Sequence, residues 1–164
     1  MSAWLDGTLH QTWSPVGQQP RVDTFGERKT AHIYGTVELG TGDFLFRFAP
    51  VFNGATFFEF VRAVVDHYGT RKVFMIIDNG PCHWLSAEGK QWYAENGHRL
   101  ELHRLPPYSP EFNPIEGVWK LTRRRTTHNR FYQTVEARDA ALTTTFTDFQ
   151  AHPETLLPQV RRFQ

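Results

Sequence analysis

Two carboxylates, Asp78 and Glu116, are the side chains of this sequence best placed to do chemistry. Asp78 follows a continuous apolar run at residues 73–77 and precedes the turn signal of residues 79–81, as expected at the carboxyl end of a buried strand. Sites in open α/β sheets form beyond such strand ends, which favours a functional role. The alternative is that Asp78 only begins an Asx-turn before Asn79 and Gly80.

Glu116 is expected in the first turn of a helix. The proline-rich stretch 106–110 forces a loop, after which Asn113 can cap a helix that has Pro114 at its first position. A Glu three residues after an Asn cap can simply complete a capping box. The rigid turn before the helix instead favours a functional role for Glu116, because it fixes the position of the side chain.

Hard carboxylate oxygens, without paired Cys or clustered His, suit Mg²⁺ or Mn²⁺. These ions keep several waters and bind phosphate oxygens of a substrate. We therefore predict that Asp78 and Glu116 are catalytic metal ligands.

A basic stretch follows Glu116, with no acidic residue before Glu136. Helical spacing puts Lys120 and Arg123 on the same face as Glu116, so that a metal ligand and phosphate-binding cations would share one surface. The alternative is a solvated face on which Glu116 pairs with Lys120, worth about 0.3–0.5 kcal/mol. The predicted DNA-binding residues are Lys120, Arg123, Arg124, Arg125 and Arg130.

The whole chain of 164 residues fits one domain, residues 1–164, with a hydrophobic fraction of 40%. Its net charge of +1 means that any attraction to nucleic acid depends on where the charges lie. A single cysteine, Cys82, rules out an internal disulfide and a paired-thiol zinc site. No apolar run is long enough to span a bilayer, so we expect a soluble, cytoplasmic protein that has no membrane partner.

The elements that position these residues follow from periodicity and turn signals. Residues 31–39 and 44–48 read as a β-hairpin, and Thr56 with Glu59 matches a capping box before a helix that extends to residue 68. Strands are predicted at 72–77 and 99–105, and helices at 86–96, from 113 onward and at 134–149. This order predicts a three-layer α/β fold, a mixed sheet with helices on both faces.

Two motifs carry a family resemblance. Residues 76–83 read IIDNGPCH and residues 105–116 read LPPYSPEFNPIE, while residues 13–20 read WSPVGQQP. Together they resemble the DDE transposases of the bacterial IS630 and eukaryotic Tc1/mariner group, and the resemblance covers nearly the whole chain. It implies an RNase H-like fold, with the first strand truncated.

The resemblance implies that Asp78 and Glu116 hold two Mg²⁺ or Mn²⁺ ions for DNA strand cleavage and strand transfer. His83 matches a family position near the site and would orient a phosphate or a carboxylate, unless it is a buried structural histidine. Asn79 and Asn113 would support the ligands. The expected partners are transposon-end and target DNA, and either a second copy of the chain or an intact transposase.

The sequence also departs from the family pattern. A third carboxylate is expected on the first strand, just before the position of Met1, and a helix-turn-helix region is expected upstream. Asp6 is a substitute candidate, but it lies too close to Trp13 and reads better as a turn with Gly7. We therefore expect a truncated or split product that is inactive alone.

Two other functions stay open at this stage. One is a non-catalytic transposase remnant that binds DNA or dimerises with an intact transposase. The other is an RNase H-like nuclease unrelated to transposition, which would act on DNA ends without inverted repeats.

Overall fold

The structure is a computed structural model that describes residues 1–5, 8–24, 26, 29–107 and 109–163. Asp6, the substitute candidate for a third carboxylate, lies outside the described residues, as does Tyr108 of the second motif. Within the described part of the chain, no helix is long and apolar enough to cross a membrane.

An antiparallel sheet forms the first half of the molecule. Its strands are β1 (Ser2–Trp4), β2 (Thr30–Val37) and β3 (Phe44–Ala49), in the order β1-β2-β3. The predicted hairpin is β2 and β3, in register from His32 opposite Ala49 to Val37 opposite Phe44. Gly42 adopts a φ of 78° in the turn, a conformation that side chains with a Cβ disfavour.

A parallel pair forms the second half. Strand β4 (Val73–Ile77) pairs with β5 (Leu100–Arg104), and helix α2 (Ala87–Glu95) makes the crossover between them. Helix α1 (Gly54–His67) connects β3 to β4. The antiparallel and parallel pairings were both expected, but in the described residues they form two sheets rather than one continuous mixed sheet. The physical reason is that β1 is three residues long and does not reach between β2 and β4.

The start of α1 corrects one prediction. The capping box joins Asn53 and Thr56, because the Asn53 side chain accepts the Thr56 backbone N–H and the Thr56 hydroxyl accepts the Asn53 N–H. The predicted partner Glu59 instead pairs with Arg47 at 2.6 Å. The box therefore begins three residues earlier than predicted.

The last third of the chain is helical. Helix α3 (Ile115–Thr122) runs directly into a π-helical segment (Arg123–Thr127), followed by α4 (Val135–Ala151) and the short α5 (Leu157–Val160). Thr134 caps α4 by accepting the Ala137 N–H, in agreement with the predicted start of this helix.

Two apolar cores cover opposite faces of β2. Ile33 lies in a core shared with α3 and α4, whereas its neighbour Tyr34 lies in a core shared with α1, β4 and β5. This follows from the alternation of side chains along a strand. Helices therefore lie on both faces of β2, which is the predicted three-layer α/β arrangement, although the strands form two sheets.

Candidate metal centre

Asp78 lies directly after β4, as predicted. Its Oδ1 accepts the Gly80 backbone N–H at 2.7 Å and lies 2.7 Å from Nδ1 of His83. The Asx-turn that the sequence allows is therefore present, together with a histidine contact that such a turn does not require. Both contacts use Oδ1.

The environment of Asp78 favours its ionised form. The hydrogen bond from His83 lowers the pKa of this carboxyl most, and the Gly80 N–H lowers it further, although partial burial raises it. A carboxylate held ionised in this way is suited to bind a cation.

His83 joins the packing of the second core to the site. The ring lies in the turn Pro81–His83 and contacts Phe57 at 4.8 Å and Tyr34 at 6.3 Å between ring centroids. The aromatic neighbours fix the ring, and the ring in turn holds Asp78 Oδ1. His83 is thus partly buried and lies between the aromatic core residues and the Asp78 carboxylate.

Glu116 lies in the first turn of α3 and is half-buried. The N-cap of this helix is Pro114, with no side-chain capping bond, so the prediction that Asn113 caps it is wrong. Asn113 is instead buried beside the site, and its backbone carbonyl accepts the Glu116 N–H at 3.1 Å. The geometry explains the difference, because the prolines on both sides of the loop already fix the helix start.

Both carboxylates line one cleft with a volume of about 730 Å³. The amino group of Met1 lies in this cleft and donates to the Ile33 carbonyl at 2.5 Å. Burial lowers the pKa of this ammonium to about 6, while the charges of Glu116 and Asp78 both act to raise it. Two carboxylates that are distant in sequence thus line one cleft.

The donor set fits a divalent cation that keeps part of its hydration. No group of three or more His, Cys, Asp or Glu side chains converges anywhere in the described ranges. Two hard carboxylates would leave the other positions of a Mg²⁺ or Mn²⁺ ion to water and phosphate oxygens, which is the usual preference of Mg²⁺. Asp78 and Glu116 are the residues that would hold it.

Asn79 and Arg104 organise the edge of the site. Asn79 donates to the Leu105 carbonyl at 2.6 Å and so ties the ends of β4 and β5 together. Arg104 donates to the His83 carbonyl at 2.9 Å, and its guanidinium lies 3.9 Å from the ring centroid of Trp84. The sequence reading missed Arg104 and Trp84. The available signal was an arginine at a strand end and a tryptophan next to His83.

The five basic residues predicted to bind DNA differ in their surroundings. Arg123 lines the cleft, and Lys120, Arg124 and Arg130 are exposed. Arg125 binds Asp148 at 2.6 Å and lies over the Phe149 ring, which gives it a structural role. The segment after Thr122 is π-helical, so the predicted α-helical spacing applies as far as Arg123 only.

Comparison with known proteins identifies the class. Residues 2–138 match the family described as DDE superfamily endonuclease. Since this is most of the chain, the protein belongs to that family. No curated protein sequence matches the chain.

Solved structures support the fold. The structure titled Mos1 transposase paired-end complex with left transposon end matches with a TM-score of 0.65 and 13% identity, over 98% of this chain and 51% of that chain. The Mos1 strand transfer complex matches with a TM-score of 0.66 and 13% identity, over 99% of this chain and 49% of that chain. The chain thus spans about half the length of these proteins.

Proposed function

We propose that this chain is the catalytic domain of a transposase that cuts a DNA strand and joins its 3′ end to target DNA. One observation carries the proposal. In a chain of the DDE endonuclease family, Asp78 and Glu116 line the same cleft. The motifs at residues 76–83 and 105–116 support the group of bacterial IS630 and eukaryotic Tc1/mariner transposases, and the lone Cys82 suits a reducing cytoplasm.

In this mechanism Asp78 and Glu116 would hold Mg²⁺ or Mn²⁺, and an intact site would take two ions. The metal, when bound, supplies activation of the attacking oxygen and stabilises charge on the phosphate. His83 keeps Asp78 ionised and oriented through its 2.7 Å contact, while Asn79 and the buried Asn113 hold the loops that deliver the two ligands.

DNA would approach the side of the cleft formed by α3 and the π-helical segment. Lys120, Arg123, Arg124 and Arg130 offer cations to the backbone phosphates, where such contacts give affinity without sequence readout. The titles of the matched structures name a transposon end and strand transfer, which supports transposon ends and target DNA as the substrates of this chain. A second copy or an intact transposase is the proposed protein partner.

We expect little cleavage by the chain alone, because a two-metal site with two carboxylates should bind at least one ion weakly. With Mn²⁺ and supercoiled DNA, the nicking rate of the chain should stay close to that of buffer. Robust cleavage that Asp78→Asn abolishes would contradict this and would restore Asp6 as a third ligand.

One observation favours a second candidate, a non-catalytic chain that binds DNA or associates with an intact transposase. In the part of the chain that the structure describes, the carboxylates that line the cleft are those of Glu38, Asp78 and Glu116, and they do not converge into a group of three that could hold a metal ion. Such a remnant needs the basic residues but no metal affinity.

Titration calorimetry with Mn²⁺ separates the two candidates. The catalytic proposal predicts a binding event that is lost in Asp78→Asn and in Glu116→Gln and is kept in Glu111→Gln, which changes an exposed carboxylate on the loop before α3. Absence of binding to the unchanged protein would favour the remnant. Equal binding by all variants would mean that the ion binds elsewhere and would contradict the proposed site.

A further inference from the structure

An exposed tryptophan lies next to the candidate metal centre. Trp84 directly follows His83, which lines the cleft and contacts Asp78, and 57% of Trp84 is exposed. Tryptophan is well buried on average, and in binding sites it supplies a large flat surface. The exposed indole beside the cleft is therefore a candidate contact for a ligand.

The backbone around Trp84 is fixed on both sides. The Trp84 N–H closes the preceding turn by donating to the Pro81 carbonyl at 3.4 Å, and Ser86 caps α2 by accepting the Gly89 N–H at 3.1 Å. The Trp84 carbonyl lies so close to the start of α1 that a Cβ at Gly54 would overlap it. The fold thus holds this backbone in place while the side chain stays accessible to solvent.

Arg104 covers part of the indole and is itself held in place. Its guanidinium carbon lies 3.9 Å from the centroid of the Trp84 ring, and its Nη2 donates to the His83 carbonyl at 2.9 Å. Among the described residues, no carboxylate pairs with this guanidinium. An arginine side chain has five N–H donors, so donors remain for an anion.

These two side chains flank the site from different elements. Arg104 lies at the end of β5 opposite Ile77, the residue before Asp78. Trp84 follows His83, whose Nδ1 lies 2.7 Å from Asp78 Oδ1. A DNA strand that brings a phosphate to Asp78 would therefore pass close to both.

An indole beside a guanidinium without a carboxylate partner matches the chemistry of one nucleotide. Aromatic side chains stack on nucleobases whatever the base, and each stacked base contributes about 5–150-fold to affinity. Arginine binds phosphate oxygens through its planar fork of N–H groups. A base within a duplex is already stacked and paired, so only an unpaired base can lie on the indole.

We propose that Trp84 and Arg104 form a binding site for one unpaired nucleotide of single-stranded DNA, with its base on the indole and its phosphate on the guanidinium. The assignment of this nucleotide to the strand that is cut rests on the proposed function, whereas the stacking needs neither metal nor cleavage. The site would distinguish unpaired from paired DNA rather than one sequence from another.

The test measures binding of a fluorescein-labelled oligothymidylate by anisotropy, in EDTA and at low salt. A second ligand is an abasic strand of the same length, which keeps the phosphates and lacks the bases. We expect Trp84→Leu to weaken oligothymidylate binding by at least about fivefold and to leave binding of the abasic strand unchanged. Trp84→Phe keeps an aromatic ring and should retain most of the affinity.

Three controls accompany this comparison. Trp13→Leu makes the same substitution at another tryptophan, which is fully exposed, and should change neither affinity. A blunt duplex should bind the unchanged protein and Trp84→Leu equally. Arg104→Ala should weaken binding of both single strands and lower the slope of log binding constant against log salt by about 0.7, the value for one phosphate contact on single-stranded DNA.

Several results would overturn the proposal. One is equal binding of oligothymidylate and the abasic strand by the unchanged protein, a comparison that needs no variant to fold. Others are an equal loss for both strands in Trp84→Leu, which would assign the effect to a disturbed backbone, and an unchanged affinity of Trp84→Leu for oligothymidylate. An equal loss in Trp13→Leu would also contradict a site at Trp84.

Failure here leaves the proposed function intact, because the loss of Mn²⁺ binding in Asp78→Asn and Glu116→Gln is measured without DNA. Conversely, stacking can succeed when the metal site fails. Binding of oligothymidylate that depends on the Trp84 ring, by a chain that binds no Mn²⁺, would support the nucleotide site and favour the non-catalytic remnant.

Discussion

The antiparallel sheet and the parallel pair differ in how they are covered. Strands β1–β3 lie against α3 and α4 through fully buried aromatic residues such as Phe44, Phe146 and Phe149. β4 buries Met75 and Ile77 against α1 but leaves Phe74 and Ile76 largely exposed. The comparison teaches that the candidate site joins a well-covered part of the molecule to a less covered one, because Glu116 stands on α3, which packs on the antiparallel sheet, and Asp78 follows β4.

Removing a ring from the antiparallel side should have the largest effect. Phe146 belongs to α4 and is fully buried where this helix packs against β3. Phe146→Ala should therefore lower the free energy of unfolding by about 3–5 kcal/mol, through lost contacts and a cavity. Urea denaturation measures this directly.

The control on the parallel side is Phe74→Ala, where 63% of the residue is exposed. We expect a loss of no more than about 0.5 kcal/mol, which is ordinary for a surface position. Equal losses for the two variants would contradict the distinction between a covered and an uncovered sheet.

Replacing Arg138 should give the next largest loss of stability, because its side chain is hydrogen-bonded to β1. It is buried and donates to the carbonyls of Lys29 at 2.6 Å and Ala3 at 3.2 Å. Arg138→Leu should cost on the order of 1.5–3 kcal/mol, because it removes hydrogen bonds from a charged donor, although the Lys29 carbonyl keeps the Leu5 N–H at 2.9 Å. Thermal unfolding measures the loss, and a Tm matching that of the unchanged protein would refute this role.

Arg124 and Arg125 form a matched pair of neighbours with different predicted roles. Arg125→Ala should cost about 0.2–1 kcal/mol, the range for an exposed ion pair, because it loses Asp148. Arg124→Ala should leave stability unchanged and reduce the slope of log binding constant against log salt for DNA by about one. Identical salt slopes for Arg124→Ala and the unchanged chain would exclude Arg124 from the DNA surface.

The smallest effect concerns pH. The pKa of Asp78 is lowered in the folded protein, so its contribution is present above the pKa of the unfolded chain and is lost as pH falls through the folded value. The stability difference between the unchanged protein and Asp78→Asn should therefore shrink in acid. Because Asp78 is half exposed, we expect less than about 1 kcal/mol in total. Urea titrations at several pH values measure it, and a difference that grows in acid would contradict the sign.

The sequence alone predicted the strands and helices that carry Asp78 and Glu116, because apolar periodicity and proline-rich punctuation are local signals. The Asn53 cap was missed since Asn53 and Thr56 are equally plausible helix starts until packing chooses between them. The π-helical turn after Thr122 also lacks a local signal. It accompanies tertiary contacts such as the 2.7 Å bond between the Thr126 and Thr145 hydroxyls.

Long-range features of the site were the least accessible. The cation–π contact on Trp84 comes from Arg104, which lies at the end of β5. The division of the strands into two sheets depends on the length of β1. Neither can be obtained from spacing along the chain. The contact between His83 and Asp78 was easier to predict, since the two residues lie in one sequence motif.

The central claim, one metal site shared by Asp78 and Glu116, is tested most directly by replacing the ion with Fe²⁺ and mapping ascorbate-driven cleavage of the polypeptide by mass spectrometry. The account predicts breaks close to residue 78 and close to residue 116, both lost together in either Asp78→Asn or Glu116→Gln. Breaks near the stacked pair His10 and His128, 4.6 Å apart, or breaks at one carboxylate that persist when the other is changed, would contradict it.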